Sequence, residues 1–264
     1  MIFIDRAGAH APRALLVDGK AHLDNTIRPR AQAGTLRSSD FRRDIYGSED
    51  VRARLWKMQH HKCCFCEREY EKGYSPVEHF RPKTEASDDT KNRGTKRPGY
   101  WWLGYAFENL YFCCQNCNTP KSSYFPLASG SAPLVPEQLP ADGSEQPLII
   151  DPGKEDPEPH IAWIWSGRRR GYVPVPASGS IRGEKTIYAV DLDLRDDLCV
   201  LRAKYYREHI KPVLERHRAA KRAKDDPGLA QALEDAQRLS QPSAQYAGMA
   251  RYLFRHKGLL PSKS

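Results

Sequence analysis

The sequence predicts an α+β protein in which a small cysteine-rich module is flanked by helical segments, and three observations predict it. Two C-x-x-C pairs, Cys63–Cys66 and Cys114–Cys117, bracket a chemically dense stretch. Apolar residues recur at helical spacing just before that stretch and again from about residue 184 onward. Between these regions the run HIAWIW, residues 160–165, alternates as a strand does and is followed by Gly167, which predicts a hairpin.

The 264 residues are 39% hydrophobic and 28% charged, as in a soluble globular protein. No run approaches the ~18 apolar residues of a membrane span. The opening MIFIDRAGAHAPRALL places an acid and an arginine where a signal peptide needs an apolar stretch, so a cytoplasmic protein without a membrane partner is expected. A net charge of +9 suits a polyanion such as nucleic acid, although many basic proteins bind none. Six of the 7 cysteines fall in two clusters, Cys63, Cys64, Cys66 and Cys113, Cys114, Cys117, with Cys199 apart. In a reducing cytosol such clustering points to metal rather than disulfides.

Along the chain, residues 1–47 carry few periodic signals and read as an irregular N-terminal arm. Ser48 can cap a helix running to about residue 61, with Val51, Leu55 and Met58 on one face and His60, His61 and Lys62 ending it near the negative pole of its dipole. Residues 48–127 form the module, interrupted by a polar loop, SDDTKNRGTKRPG, that reads as exposed. Residues 128–183 are a Pro/Gly-rich linker with two strand-like runs, PLIID and HIAWIW, the second followed by Arg168, Arg169 and Arg170. Residues 184–264 read as helical: Leu194, Leu198, Leu201 and Tyr205 form one stripe that Pro212 should kink or end. Leu229, Leu233 and Leu239 mark a further helix, and Tyr246, Met249 and Leu253 the last.

The gap between the knuckles is 114 − 66 − 1 = 47 residues, long enough to hold an insert. Cys63, Cys66, Cys114 and Cys117 can supply four thiolates to one tetrahedral zinc, which is then structural because no coordination position stays open. Its binding energy would fold a loop-rich segment. Cys64 and Cys113 are spare in this scheme. Buried thiols without metal, or redox chemistry at one C-x-x-C, are the alternatives.

Inside the insert lies Val77-Glu78-His79-Phe80-Arg81-Pro82-Lys83, followed by Glu108-Asn109-Leu110-Tyr111-Phe112 and by Cys117-Asn118-Thr119-Pro120-Lys121. The order C-x-x-C, acid-His, Asn-Leu, C-x-x-C-Asn, Lys resembles the cysteine-ribbon branch of the HNH endonuclease family. The phrases CCFCE, VEHFRPK and NLYFCCQNCNTPKS, with PLIIDPGKEDPEPHIAW and TIYAVDLDLRDDLCVLR, are similar to the nuclease subunit of Septu-type antiphage defence systems, including retron-attached versions. The resemblance covers roughly residues 50–205.

The resemblance implies a ββα-metal core with the zinc site at its base and a nuclease acting on phosphodiesters, DNA foremost. It also implies an ATPase partner related to SMC and ABC-type proteins, for which the C-terminal helices could form a docking surface. His79 suits the general base, since its unperturbed pKa of ~6.5 lies near working pH. By resemblance, Glu78 and the Asn118 side chain hold a catalytic divalent ion, Mg²⁺ or Mn²⁺, and Asn109 ties the loop and orients the histidine. Arg81, Lys83 and Lys121 are candidates for phosphate contacts. Two positions depart from the commoner family pattern: Glu78 stands where many members carry Asp, and Asn118 where many carry His. Trp101 and Trp102 read as core. A non-catalytic zinc ribbon that binds nucleic acid or protein is the alternative, and it has no need of the acid-His pair or the trailing Asn.

Overall fold

The N-terminal segment docks onto the module and does not trail from it. Met1, Ile2 and Ile4 are buried. The Ile4 amide donates to the Pro152 carbonyl at 2.7 Å. Arg6 donates to the Leu110 carbonyl at 2.8 Å and lies 4.4 Å from the centre of the Tyr111 ring. The computed structural model describes residues 1–74, 76–88, 96–141 and 145–261, so the middle of the polar loop, 89–95, lies outside the described residues.

The irregular arm expected over residues 1–47 is instead largely helical. Helix α1 spans residues 14–32 as a relay of π and α turns, Ala14–Gly19, Lys20–His22, Leu23–Ile27 and Arg28–Gln32. Each π turn widens the ladder to i→i+5, so the core-facing Leu15 and Ile27 do not recur at a 3.6-residue period. Gly19 lets α1 approach closely, because a Cβ there would come within 3.0 Å of Tyr105 Cβ. A single helical turn, Arg43–Tyr46, follows with Ile45 buried.

Helix α2, Glu49–Met58, buries Val51 and Leu55 as their spacing predicts. Ser48 is its N-cap residue but makes no side-chain cap bond, and the helix stops short of His60 and His61, which both take positive φ. The His61 ring stacks on Trp56 at 3.6 Å.

Among the described residues there are three two-stranded sheets, all antiparallel. Strand β1, Val77–His79, pairs with β4, Leu110–Phe112; β2, Glu85–Ser87, pairs with β3, Lys96–Pro98. Helix α3, Gln115–Lys121, leaves β4 directly, with Cys114 as its N-cap residue. The outer edge of β4 is completed by a side chain: Gln59 Nε2 donates to the Phe112 carbonyl at 2.7 Å and Gln59 Oε1 accepts from the Phe112 amide at 2.8 Å. Trp101 and Trp102 are buried, as core residues are.

Strands β5, Ile161–Ser166, and β6, Gly171–Pro176, form the hairpin that the alternation predicts, with Arg168–Arg170 in its turn. The other strand-like run, PLIID, makes only one bridge, Leu127 to Pro147, while Ile149 and Ile150 sit fully in the core. Helix α4 is Ile181–Ala189. Helix α5 runs over residues 196–223 without ending at Pro212: a π turn, Tyr206–Ile210, joins Asp196–Tyr205 to Lys211–Ala223. Pro212 stands in the first turn after it, where a missing N–H is least costly. Helix α6, Asp226–Leu239, faces the core with Ala232, Ala236 and Leu239, and Leu233 is 40% exposed. Small residues let α6 pack close, so the buried face is offset from the leucine stripe. Helix α7, Ala247–His256, buries Met249, Leu253 and Phe254. No helix among the described residues is long and apolar enough to cross a membrane.

Candidate functional site

The two knuckles meet. The Sγ atoms of Cys63, Cys66, Cys114 and Cys117 all lie within 4.8 Å of one another and all four residues are buried, a set compatible with one tetrahedral zinc. The first knuckle turns tightly enough because Glu67 takes φ 60° and its amide donates to the Cys63 carbonyl. The second is the start of α3, where the Cys117 amide donates to the Cys114 carbonyl at 3.0 Å. Cys64 and Cys113 form an overlapping buried set with Cys63. Burial pushes the Cys117 thiol well above its ordinary range, while hydrogen bonds from neighbouring cysteines bring Cys63 and Cys114 below theirs.

A guanidinium that the motifs do not announce completes this end. Arg195 Nη1 lies 3.3 Å from Cys117 Sγ and 4.0 Å from Cys114 Sγ. Asp197 holds the same guanidinium through two bonds, at 3.0 and 2.6 Å. A positive charge there offsets the excess negative charge of four thiolates around a divalent ion. Only the pattern DLRDD hinted at it, and that pattern reads equally well as a helix start.

Above the sulfurs, β1 delivers Glu78 and His79 to the wall of a cavity of about 800 Å³, and α3 delivers Asn118 to the same cavity. Lys83 lines it as well. His79 Nε2 lies 2.9 Å from the Gly104 carbonyl. A carbonyl only accepts, so Nε2 carries the proton and Nδ1 keeps the lone pair. Gly104 is required here because a Cβ would collide with the Phe41 ring. Burial, reinforced by Lys83, pushes the His79 pKa down to about 3, so the ring is neutral at pH 7. Tyr46 packs its ring against His79 at 4.8 Å.

Asn109 stands behind the histidine and does not line the cavity. Its Oδ1 accepts from the Arg81 amide at 2.8 Å, and its Nδ2 donates to the carbonyls of Arg81 at 3.0 Å and Leu103 at 3.2 Å. One side chain thus clips the exit of β1 to the turn that presents Gly104.

Arg81 and Lys121 are placed inward. Arg81 donates to Glu145 at 2.8 Å and lies over Phe80 and Phe125. The Lys121 ammonium is fully buried, 2.6 Å from Glu78 Oε1 and 3.2 Å from the His79 carbonyl. Burial pushes the Glu78 carboxyl above its ordinary value, against the opposing pull of Lys121. Glu78 and Lys121 lie 121 − 78 = 43 residues apart in sequence, so no local pattern announces the pair. Lys121→Met should therefore cost about 3–5 kcal/mol of stability by leaving a buried carboxylate uncompensated, and adding Glu78→Gln should restore most of it. Urea unfolding of the two variants at pH 7 measures both; a single variant within ~1 kcal/mol of wild type would remove the pair from the account of this site.

Septu protein PtuB of Bacillus mycoides (strain KBAB4) is 32% identical over 163 residues, which are 61% of this chain and 52% of that protein. The chain thus spans about half the length of the curated relative it matches. No family model matches, and no solved structure matches. The sequence similarity supports a relationship of this chain to the Septu type.

Proposed function

We propose that this chain is a metal-dependent endonuclease of the HNH class, cutting phosphodiester bonds, DNA foremost, as the effector of a Septu-type antiphage defence system. The observation that carries the reading is the state of His79: a neutral imidazole, its Nε2–H engaged by Gly104, beside a carboxylate and an amide on one polar cavity. A zinc ribbon that only binds has no use for a buried histidine held in one tautomer.

In this reading Nδ1 of His79 accepts a proton from a water molecule as the water oxygen bonds to phosphorus and the P–O bond to the leaving group breaks, the departing alkoxide taking its proton from solvent. A pKa of about 3 keeps the ring unprotonated before substrate arrives. An anionic phosphate in the cavity then raises its proton affinity, since opposite charge favours the imidazolium. Asn109 and Gly104 fix the ring through the turn they share. Glu78 and Asn118 are hard oxygen donors on one wall, which suits a Mg²⁺ or Mn²⁺ that keeps most of its water. When bound, such an ion supplies charge neutralisation at the phosphate. Zinc at the four cysteines would tie the knuckle that follows α2 to the start of α3. The ATPase partner, related to SMC and ABC-type proteins, is part of the same proposal, and its contact with the C-terminal helices is an assembly question for the intact chain.

The test is incubation of supercoiled plasmid, and of single-stranded DNA and RNA, with the purified chain in Mg²⁺ or Mn²⁺, with and without the ATPase. Nicking or cutting that stops on chelation is expected. Binding without cutting under all of these conditions would replace the nuclease by the non-catalytic ribbon.

A further inference from the structure

Two of the three cations that the motifs nominate for phosphate, Arg81 and Lys121, are spent on internal partners. Other cations face the cavity. Arg37, Arg43 and Arg52 line it, as does Lys83. Arg37 and Arg43 are exposed, and among the described residues neither guanidinium has a carboxylate partner in the structure. Their neighbours Arg30 and Arg42 pair with Asp40 and Asp44. Arg52 is half-buried and bonds Glu49 at 3.3 Å.

The segment that carries these arginines is fastened down. Phe41 and Ile45 are buried between them. The Arg42 amide donates to the Tyr105 hydroxyl at 2.9 Å, and the Arg37 amide donates to Asp40 Oδ2 at 2.7 Å. Tyr46, at the end of the same segment, touches the His79 ring. Of the acids on the cavity wall, Glu78 is held by Lys121 and Glu85 by Lys96, so the arginines set the sign of the field.

We infer that residues 36–52 form one bank of a polynucleotide groove, in which Arg37 and Arg43 each take a backbone phosphate flanking the one that faces His79. The inference rests on the nuclease reading and deepens it. Arg37 and Arg43 belong to the N-terminal segment, outside the cysteine module, and planar guanidinium groups suit phosphate oxygens in pairs. Contacts of this kind position the strand without reading bases.

The experiment uses the full chain carrying His79→Ala, so that substrate stays intact. Fluorescence anisotropy is followed over a salt series with labelled single-stranded DNA, single-stranded RNA and duplex DNA of one sequence. Arg37→Ala/Arg43→Ala is compared with the charge-matched remote pair Arg218→Ala/Lys221→Ala. The slope of log affinity against log salt should fall by about 0.7–0.9 for each lost phosphate contact, hence by about 1.4–1.8 for the double variant, on whichever polynucleotide binds best. The remote pair should leave the slope unchanged. Equal slopes for the two double variants, or no binding of any of the three probes by the parent, would overturn the inference. If the parent binds with the arginine-dependent slope and the otherwise wild-type chain never cuts, the groove stands and the nuclease reading falls.

Discussion

Replacing His79 by alanine is expected to lower phosphodiester cleavage by about 10²–10⁴-fold, the usual contribution of a positioned general base. The fold should survive at neutral pH, because the ring's hydrogen bond goes to a single carbonyl, that of Gly104. Rates on a labelled oligonucleotide under single-turnover conditions check the first point, and a melting curve the second. Equal rates for the two chains would remove His79 from the chemistry. The same residue makes stability depend on pH. Its pKa is lowered from 6.5 to about 3 in the native state, so between these values the unfolded chain binds the additional proton. The contribution of a neutral His79 is complete above pH 6.5 and is lost as pH falls toward 3, at about 1.4 kcal/mol per pH unit. Unfolding free energies of wild type and His79→Asn at pH 7 and pH 5 should therefore diverge by about 2 kcal/mol, the wild type losing more.

The larger structural effect is expected at the knuckles. Cys66→Ser or Cys117→Ser should abolish the binding of one zinc per chain, and Cys64→Ser or Cys113→Ser should preserve it. Zinc held by four thiolates contributes on the order of 10 kcal/mol to the folded state of small domains, as much as most domains have in total. Strong chelators should therefore melt the module, visible as loss of near-ultraviolet dichroism from the buried Tyr100, Trp101 and Trp102. Elemental analysis gives the stoichiometry. A metal-free chain with an unchanged melting temperature would show that the four sulfurs pack only as thiols.

The cysteine pairing was readable in advance because ligand spacing within a C-x-x-C is a local property. The β5–β6 hairpin was readable from a β-branched and aromatic run that stops at Gly167, although burial alternates only at its start: Ile161 and Trp163 are buried, whereas Ile164 and Trp165 are both exposed. Strand β1 leaves no such trace: all of Val77, Glu78 and His79 are buried, so the residues that matter most show no period. Helix α1 escaped notice because its π turns break the apolar period. Glu78, His79 and Asn118, which the motif names, line one cavity. Which cations reach solvent was not legible. Arg81 and Lys121 look like Lys83 in sequence, yet partners far along the chain, Glu145 and Glu78, decide their direction. Arg37 and Arg195 stand just before helical turns and Arg43 opens one, and those turns carry no chemical signature of their own.

The clip made by Asn109 has a consequence for how this chain can vary. The excursion that leaves β1 and returns at β4 is knotted at its neck by the bonds of Asn109 to Arg81 and Leu103, and Gln59 seals the far border of β4. Changes of length between β2 and β3, away from the buried Tyr100, Trp101 and Trp102 and from Gly104, are expected to cost only the entropy of a longer circuit, which grows by about 0.6 kcal/mol for each doubling. The tip of that excursion is thus free to lengthen, shorten or acquire new recognition residues while imidazole, carboxylate and amide keep their stations.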